Sequence, residues 1–103
     1  MIPLSSTADL PAGTQSHYQP AVLAIADDRM TRMLLTRAII SLGHSAHAAG
    51  SGAEALAQLR EKARVLDAII IDYALSDYSA LALVGQIRND PALSSVPVIM
   101  LTA

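Results

Sequence analysis

Cysteine is absent from the 103 residues, and so are phenylalanine and tryptophan. The first absence removes disulfides, thiol catalysis and Cys-based metal sites, and it fits a reducing compartment. The other two leave a mainly aliphatic core of Ala, Leu, Ile and Val, with aromatics at only 3%. That material suits helices layered tightly on a sheet better than a surface built on aromatic anchors. Clustered positive charge is also missing. The net charge is -2, whereas a nucleic-acid surface needs a basic patch. Arg29, Arg32 and Arg37 do fall close together, but on a predicted helix, where they read as a solvated face. No apolar run approaches the roughly 20 residues that span a bilayer. No Lys or Arg precedes Arg29, so the start lacks the basic region of a secretory signal. The expectation is a cytoplasmic protein that contacts neither membrane nor nucleic acid directly.

What is present is apolar and well ordered in sequence. Hydrophobic residues make up 52% and charged residues 16%, enough apolar material for one small domain. Residues 1–20 hold Ser, Thr, Gln, Pro and Gly without sustained periodicity and read as a flexible leader. Residues 21–26 (AVLAIA) then form an unbroken apolar run, as in a strand covered on both faces, and end at Asp27 and Asp28. Met30, Leu34, Ala38 and Leu42 recur every four residues, a helical pattern closed by Gly43 in the position of a C-terminal glycine. Residues 45–49 make a short Ala-rich strand. Ser51 and Glu54 form a capping box, and the helix they open runs to about Ala63 with Ala55, Leu56, Leu59 and Ala63 on one side. Residues 68–71 (AIII) are a second buried-strand run, ending at Asp72. Leu81, Val84 and Ile87 mark a third helix, stopped at Asn89, Asp90 and Pro91. Residues 96–101 (VPVIML) give another strand, ending at Thr102. Strands alternating with helices predict an α/β fold of the doubly wound, flavodoxin-like kind, with a parallel sheet and right-handed crossovers.

Three of the apolar runs end in polar residues: Asp27 and Asp28, Asp72, and Thr102. In an open parallel sheet, functional groups gather beyond the carboxyl ends of the strands, where the strand order switches. If those strands are neighbours, three carboxylates and a hydroxyl come together. Close carboxylates repel, so one stays protonated or a cation binds. Oxygen ligands without His or Cys favour a hard ion such as Mg2+. A carboxylate-bound Mg2+ can neutralise charge in phosphoryl transfer, and an exposed carboxylate can be the nucleophile, forming an acyl phosphate.

At this point the sequence resembles the receiver domains of two-component response regulators. The resemblance rests on AVLAIADD and the helix after it, GHSAHAAGSGAEAL, DAIIID and PVIMLTA, and it covers residues 21–103. It implies that Asp72 is the phosphoacceptor. It further implies that Asp28 binds Mg2+ directly, that Asp27 is its neighbour acting through water, and that the Ala74 carbonyl completes the metal site. Thr102 would hydrogen-bond the phosphoryl group and switch inward, and Ala103 would leave room there. The donor would be a histidine kinase or phosphotransfer protein, and the outcome the switching of a partner or an attached output domain. Phosphorylation and dephosphorylation would be self-catalysed rather than enzymatic in the usual sense. The alternative is a degenerate receiver that binds partners regardless of phosphorylation. A nucleotide-binding fold or phosphatase-like enzyme would need a Gly-rich phosphate loop, and Gly50, Ser51 and Gly52 are too short a stretch before the wrong helix.

Two departures stand out. After the acceptor the family pattern has Pro and then an Asp-Gly pair, whereas Ser76 replaces the Pro, Ala80 replaces the Gly, and Asp77 adds an acid. The family pattern also continues beyond Thr102 and Ala103 with a helix, a fifth strand bearing an aromatic switch residue and preceded by a lysine, and a last helix. The only lysine is Lys62, in the second predicted helix, so a phosphoryl group would lack a charge-assisted contact of roughly 1.5–3 kcal/mol. The expectation is a receiver domain cut short, with four strands and three helices. Its strand at 97–101 would then be an exposed edge prone to self-association.

Overall fold

The computed structural model describes residues 19–62 and 65–102. Ala63, Ala103 and residues 1–18 of the expected leader lie outside the described residues. The order of elements is β1 (Ala21–Ile25), α1 (Arg29–Ser41), β2 (Ser45–Ala49), α2 (Gly52–Lys62), β3 (Ala68–Asp72), α3 (Ala80–Asn89) and β4 (Val98–Leu101). The four strands form one parallel sheet in the order β2-β1-β3-β4. This is the flavodoxin-like arrangement expected from the alternating pattern.

The strands carry apolar residues on both faces because helices cover both. Leu23, Ile25, Ile69 and Ile71 are fully buried and pack with Ala55 and Leu59 of α2 and Ala80, Leu83 and Ile87 of α3. Burial of each such branched side chain contributes roughly 1.5–3 kcal/mol. Val22 and Ala24 point the other way and meet Leu35 and Ile39 of α1, together with Ala46, Ala68 and Ile70.

The α1 pattern needs correcting. The stripe Met30, Leu34, Ala38 and Leu42 marks a helix of the right extent, but it faces outward: Met30 and Leu34 are each 57% exposed and Leu42 is 71% exposed. Leu35 and Ile39 are the residues that meet the sheet. The helix is apolar on more than one side, so periodicity alone could not choose its inner face. In α3 the buried set is Ala80, Leu83 and Ile87, while Leu81 is exposed.

The helix ends follow local chemistry. Gly43 has φ +84; its N–H donates to Ile40 O, and His44 N–H donates to Ile39 O. Together these bonds close the Schellman arrangement that favours glycine. Ser51 Oγ accepts from Glu54 N at 3.0 Å. Glu54 Oε1 reaches back to Gly50 N at 2.7 Å, one residue earlier than a regular capping box.

Candidate functional site

The order β2-β1-β3 places the topological switch between β1 and β3, where ligand crevices form in open α/β sheets. Strand register fixes what arrives there. Ile25 of β1 pairs with Ile71 of β3, and Asp72 pairs with Leu101 of β4. Asp27 therefore lies two residues past one strand's paired end, Asp72 ends the next strand, and Thr102 follows the third. The backbone brings all of them, with Asp28, to one rim of the sheet. Asp27 and Asp72 are half-buried, and Asp28, Ala74 and Thr102 are exposed.

Each acid is held by its own surroundings. Asp27 Oδ2 accepts from the backbone N–H of Ser76 at 3.0 Å. Asp28 is the N-cap of α1, and its Oδ2 accepts from Thr31 N at 2.8 Å and from the Thr31 hydroxyl at 2.7 Å. The Thr31 hydroxyl, then the Thr31 N–H and, more weakly, the Arg32 charge hold the Asp28 carboxyl below the usual aspartate range. Asp72 Oδ1 accepts from Ala74 N at 3.1 Å, closing a short turn directly after the strand. Ala74 enters the described bonding through this N–H. The Thr102 hydroxyl makes no hydrogen bond among the described residues, and Ala103 lies outside them.

As the side chains lie, no group of three or more His, Asp or Glu among the described residues is arranged to hold a metal ion. Asp28 is turned onto the first turn of α1, where Thr31 engages its Oδ2. The donor chemistry nevertheless fits a hard divalent cation. One oxygen of each acid, Asp27 Oδ1, Asp28 Oδ1 and Asp72 Oδ2, accepts no hydrogen bond from the described residues.

Two residues at this rim were not assigned these roles from the sequence. Arg32 is half-buried, and its Nη1 donates to Ala26 O at 2.8 Å and Asp27 O at 3.3 Å. It tethers the acid turn to α1, so at least this arginine is more than a solvated face. Asp77 crosses to α2, where Oδ1 accepts from Gly52 N at 2.9 Å and Oδ2 from Ala53 N at 3.0 Å. Those bonds, Gly52 first, hold its carboxyl below the usual range. No local spacing signals either contact with Asp77, since the partners are 25 and 24 residues away. Ser79 caps α3, accepting from Ala82 N at 3.0 Å.

The family model for the response regulator receiver domain matches residues 22–103. The chain belongs to the receiver domain family. Solved structures agree with that placement. A chemotaxis response regulator of Vibrio cholerae is 28% identical, with TM-score 0.74 over 81% of this chain and 68% of that one. The N-terminal domain of a response regulator receiver protein from Methanoculleus marisnigri is 27% identical, with TM-score 0.75 over 85% and 68%. A receiver protein from Pseudomonas putida, at 24% identity and TM-score 0.76 over 84% and 70%, shares the fold. No curated protein sequence matches the chain. As a receiver domain it is placed in two-component signalling. Among the described residues no helix is long and apolar enough to cross a membrane.

Proposed function

We propose that Asp72 of this receiver domain accepts a phosphoryl group from the phosphohistidine of a histidine kinase or phosphotransfer protein, in the cytoplasm, and that the charge gained switches a partner or an attached output domain. The observation that carries this reading is the position of Asp72. It ends the strand at the topological switch, between Asp27 and Thr102, and its Oδ2 accepts no hydrogen bond from the described residues. In the transfer, an Asp72 carboxylate oxygen attacks phosphorus, the P–N bond to the donor imidazole breaks, and the electron pair stays on the imidazole nitrogen. Mg2+ would be held by Asp27, Asp28, Asp72 and the Ala74 carbonyl, and when bound it supplies charge neutralisation for the phosphoryl oxygens. Asp27 and Asp28 then serve as ligands rather than nucleophiles. The Thr102 hydroxyl is suited to donate to a phosphoryl oxygen once the group is in place. The rim is open rather than enclosed, which suits a donor carried by another protein.

Residues 21–103 act as the receiver unit in this reading, with 1–20 as leader. The apolar edge strand, expected at 97–101 and formed by Val98–Leu101, supports self-association: β4 pairs only with β3 among the described residues, and Ile99 is 52% exposed.

A second reading is a receiver that binds its partner without phosphorylation. It is favoured by the engagement of Asp27, Asp28 and Asp72 with Ser76, Thr31 and Ala74, and by the absence of a three-acid group among the described residues. Beryllofluoride with Mg2+, followed by amide NMR, separates the two. Shifts centred on Asp72 and Thr102 support the acceptor reading, and an unchanged spectrum supports the second.

A further inference from the structure

We propose that Ser76, Asp77 and Tyr78 form a strap that couples the acid turn at Asp27 to the first turn of α2, with Asp77 as its positioning residue. Three consecutive residues reach two distant parts of the chain, Ser76 the acid turn and both Asp77 and Tyr78 the start of α2. The Ser76 N–H donates to Asp27 Oδ2 across 49 positions. Asp77 accepts from Gly52 N and Ala53 N with its two oxygens, across 25 and 24 positions. The Tyr78 ring lies over Gly52 so closely that a Cβ at residue 52 would stand 2.5 Å from Cδ2.

The residue types matter. The donor at 76 is a backbone N–H, which a proline there would lack, so the serine that departs from the family pattern leaves the strap a donor. Asp77 uses both oxygens on adjacent N–H groups of a helix start, groups that have no partner within the helix. The two bonds fix the carboxylate's rotation as well as its position. Ser76 and Asp77 are consecutive, so only a few backbone torsions separate the N–H that binds Asp27 from the carboxylate that binds α2. A turn of the chain that releases Asp27 therefore pulls on Gly52 and Ala53, and the reverse holds by reciprocity.

The consequence for signalling rests on the proposed function. A cation or phosphoryl group at the rim changes the charge that Asp27 offers to Ser76, and the strap passes that change to α2. Asp77 touches none of the reacting atoms and acts through Ser76.

Amide exchange measured by NMR on metal-free protein tests the strap without relying on that function. Asp27→Ala is expected to speed exchange at Gly52 and Ala53 by roughly fivefold, the low end of ordinary coupling, although neither residue touches Asp27. Ser76→Pro should reproduce this effect and Ser76→Ala, which keeps the N–H, should not. Asp77→Ala should speed exchange at Ser76, with partial recovery in Asp77→Asn, which keeps one acceptor oxygen. Unchanged exchange at Gly52 and Ala53 in both Asp27→Ala and Ser76→Pro overturns the proposal. Titration with Mg2+ alone then examines the link to the site. In the unmodified chain, Ser76, Gly52 and Ala53 should shift with one midpoint, and in Asp77→Ala only Ser76 should follow. A shift at Ser76 with none at Gly52 and Ala53 in the unmodified chain also overturns the strap. If Mg2+ moves nothing while the exchange coupling holds, the strap stands and the cation reading fails.

Discussion

Gly52 lies beneath the ring of Tyr78, and a Cβ built on it would stand 2.5 Å from Tyr78 Cδ2 and 2.8 Å from both Cβ and Cγ. Gly52 begins α2, and its N–H is held by Asp77, so neither side can retreat without breaking a contact. Gly52→Ala is expected to destabilise the domain by roughly 1–3 kcal/mol, as overpacking of a tight site does. Tyr78→Ala in the same chain should restore only part of this, because the Cβ at residue 78 remains close. Urea unfolding of the original chain and the two variants measures it, and a Gly52→Ala chain as stable as the original would remove the close approach from the account.

Acid should weaken the fold through two caps. The folded-state pKa values of Asp28 and Asp77 lie below the usual aspartate range, the first held down mainly by the Thr31 hydroxyl and the second by the Gly52 N–H. A depressed pKa means the folded chain binds the proton less readily than the unfolded chain. The contribution is therefore complete above the ordinary aspartate value, roughly pH 4, and is lost as pH falls through the depressed folded values. Both carboxylates are exposed, so the effect is modest. Melting temperatures recorded from about pH 6 down to pH 2.5 should fall less steeply below pH 4 in the Asp28→Asn, Asp77→Asn double variant. Equal slopes would show that other groups govern acid unfolding.

The core and the edge of the sheet should respond differently. Ile69 is fully buried between β1 and β4 and packs with α2 and α3 residues, so Ile69→Ala is expected to cost about 2–5 kcal/mol. Ile99 is 52% exposed on β4, and Ile99→Ala should stay within about 0.5 kcal/mol. Chemical denaturation of both variants makes the comparison, and similar losses would contradict the assigned burial.

Ile99 also tests self-association. Sedimentation velocity across a concentration series is expected to show the 103-residue chain associating, with Ile99→Lys weakening that association by placing a charge on the edge strand. A strictly monomeric chain at high concentration would count against pairing through 97–101.

Much of the fold was legible because strand signals here are strong. Ala21–Ile25 and Ala68–Asp72 are unbroken apolar runs, and Gly43 and Ser51 sit where helix ends need them. The inner face of α1 was not legible. Met30 and Leu34 are as apolar as Leu35 and Ile39, and only docking on Val22 and Ala24 decides between the two stripes. At the candidate site, the strand-end positions of Asp27, Asp28, Asp72 and Thr102 follow from where apolar runs stop. The hydrogen bonds to those residues were less accessible. The bond from Thr31 to Asp28 is a local cap and could have been read from spacing. The bonds from Ser76 to Asp27 and from Gly52 to Asp77 join segments brought together only by the folded sheet. Arg32 was hidden for another reason: a basic residue on a helix reads as solvated until the carbonyls of Ala26 and Asp27 are seen within its reach.

The most direct test of the central claim is intact mass after incubation with acetyl phosphate, with and without Mg2+, on the unmodified chain and Asp72→Asn. The account predicts gain of one phosphoryl group that requires Mg2+ and disappears in Asp72→Asn. No Mg2+-dependent gain in the unmodified chain, or an equal gain in Asp72→Asn, would contradict it.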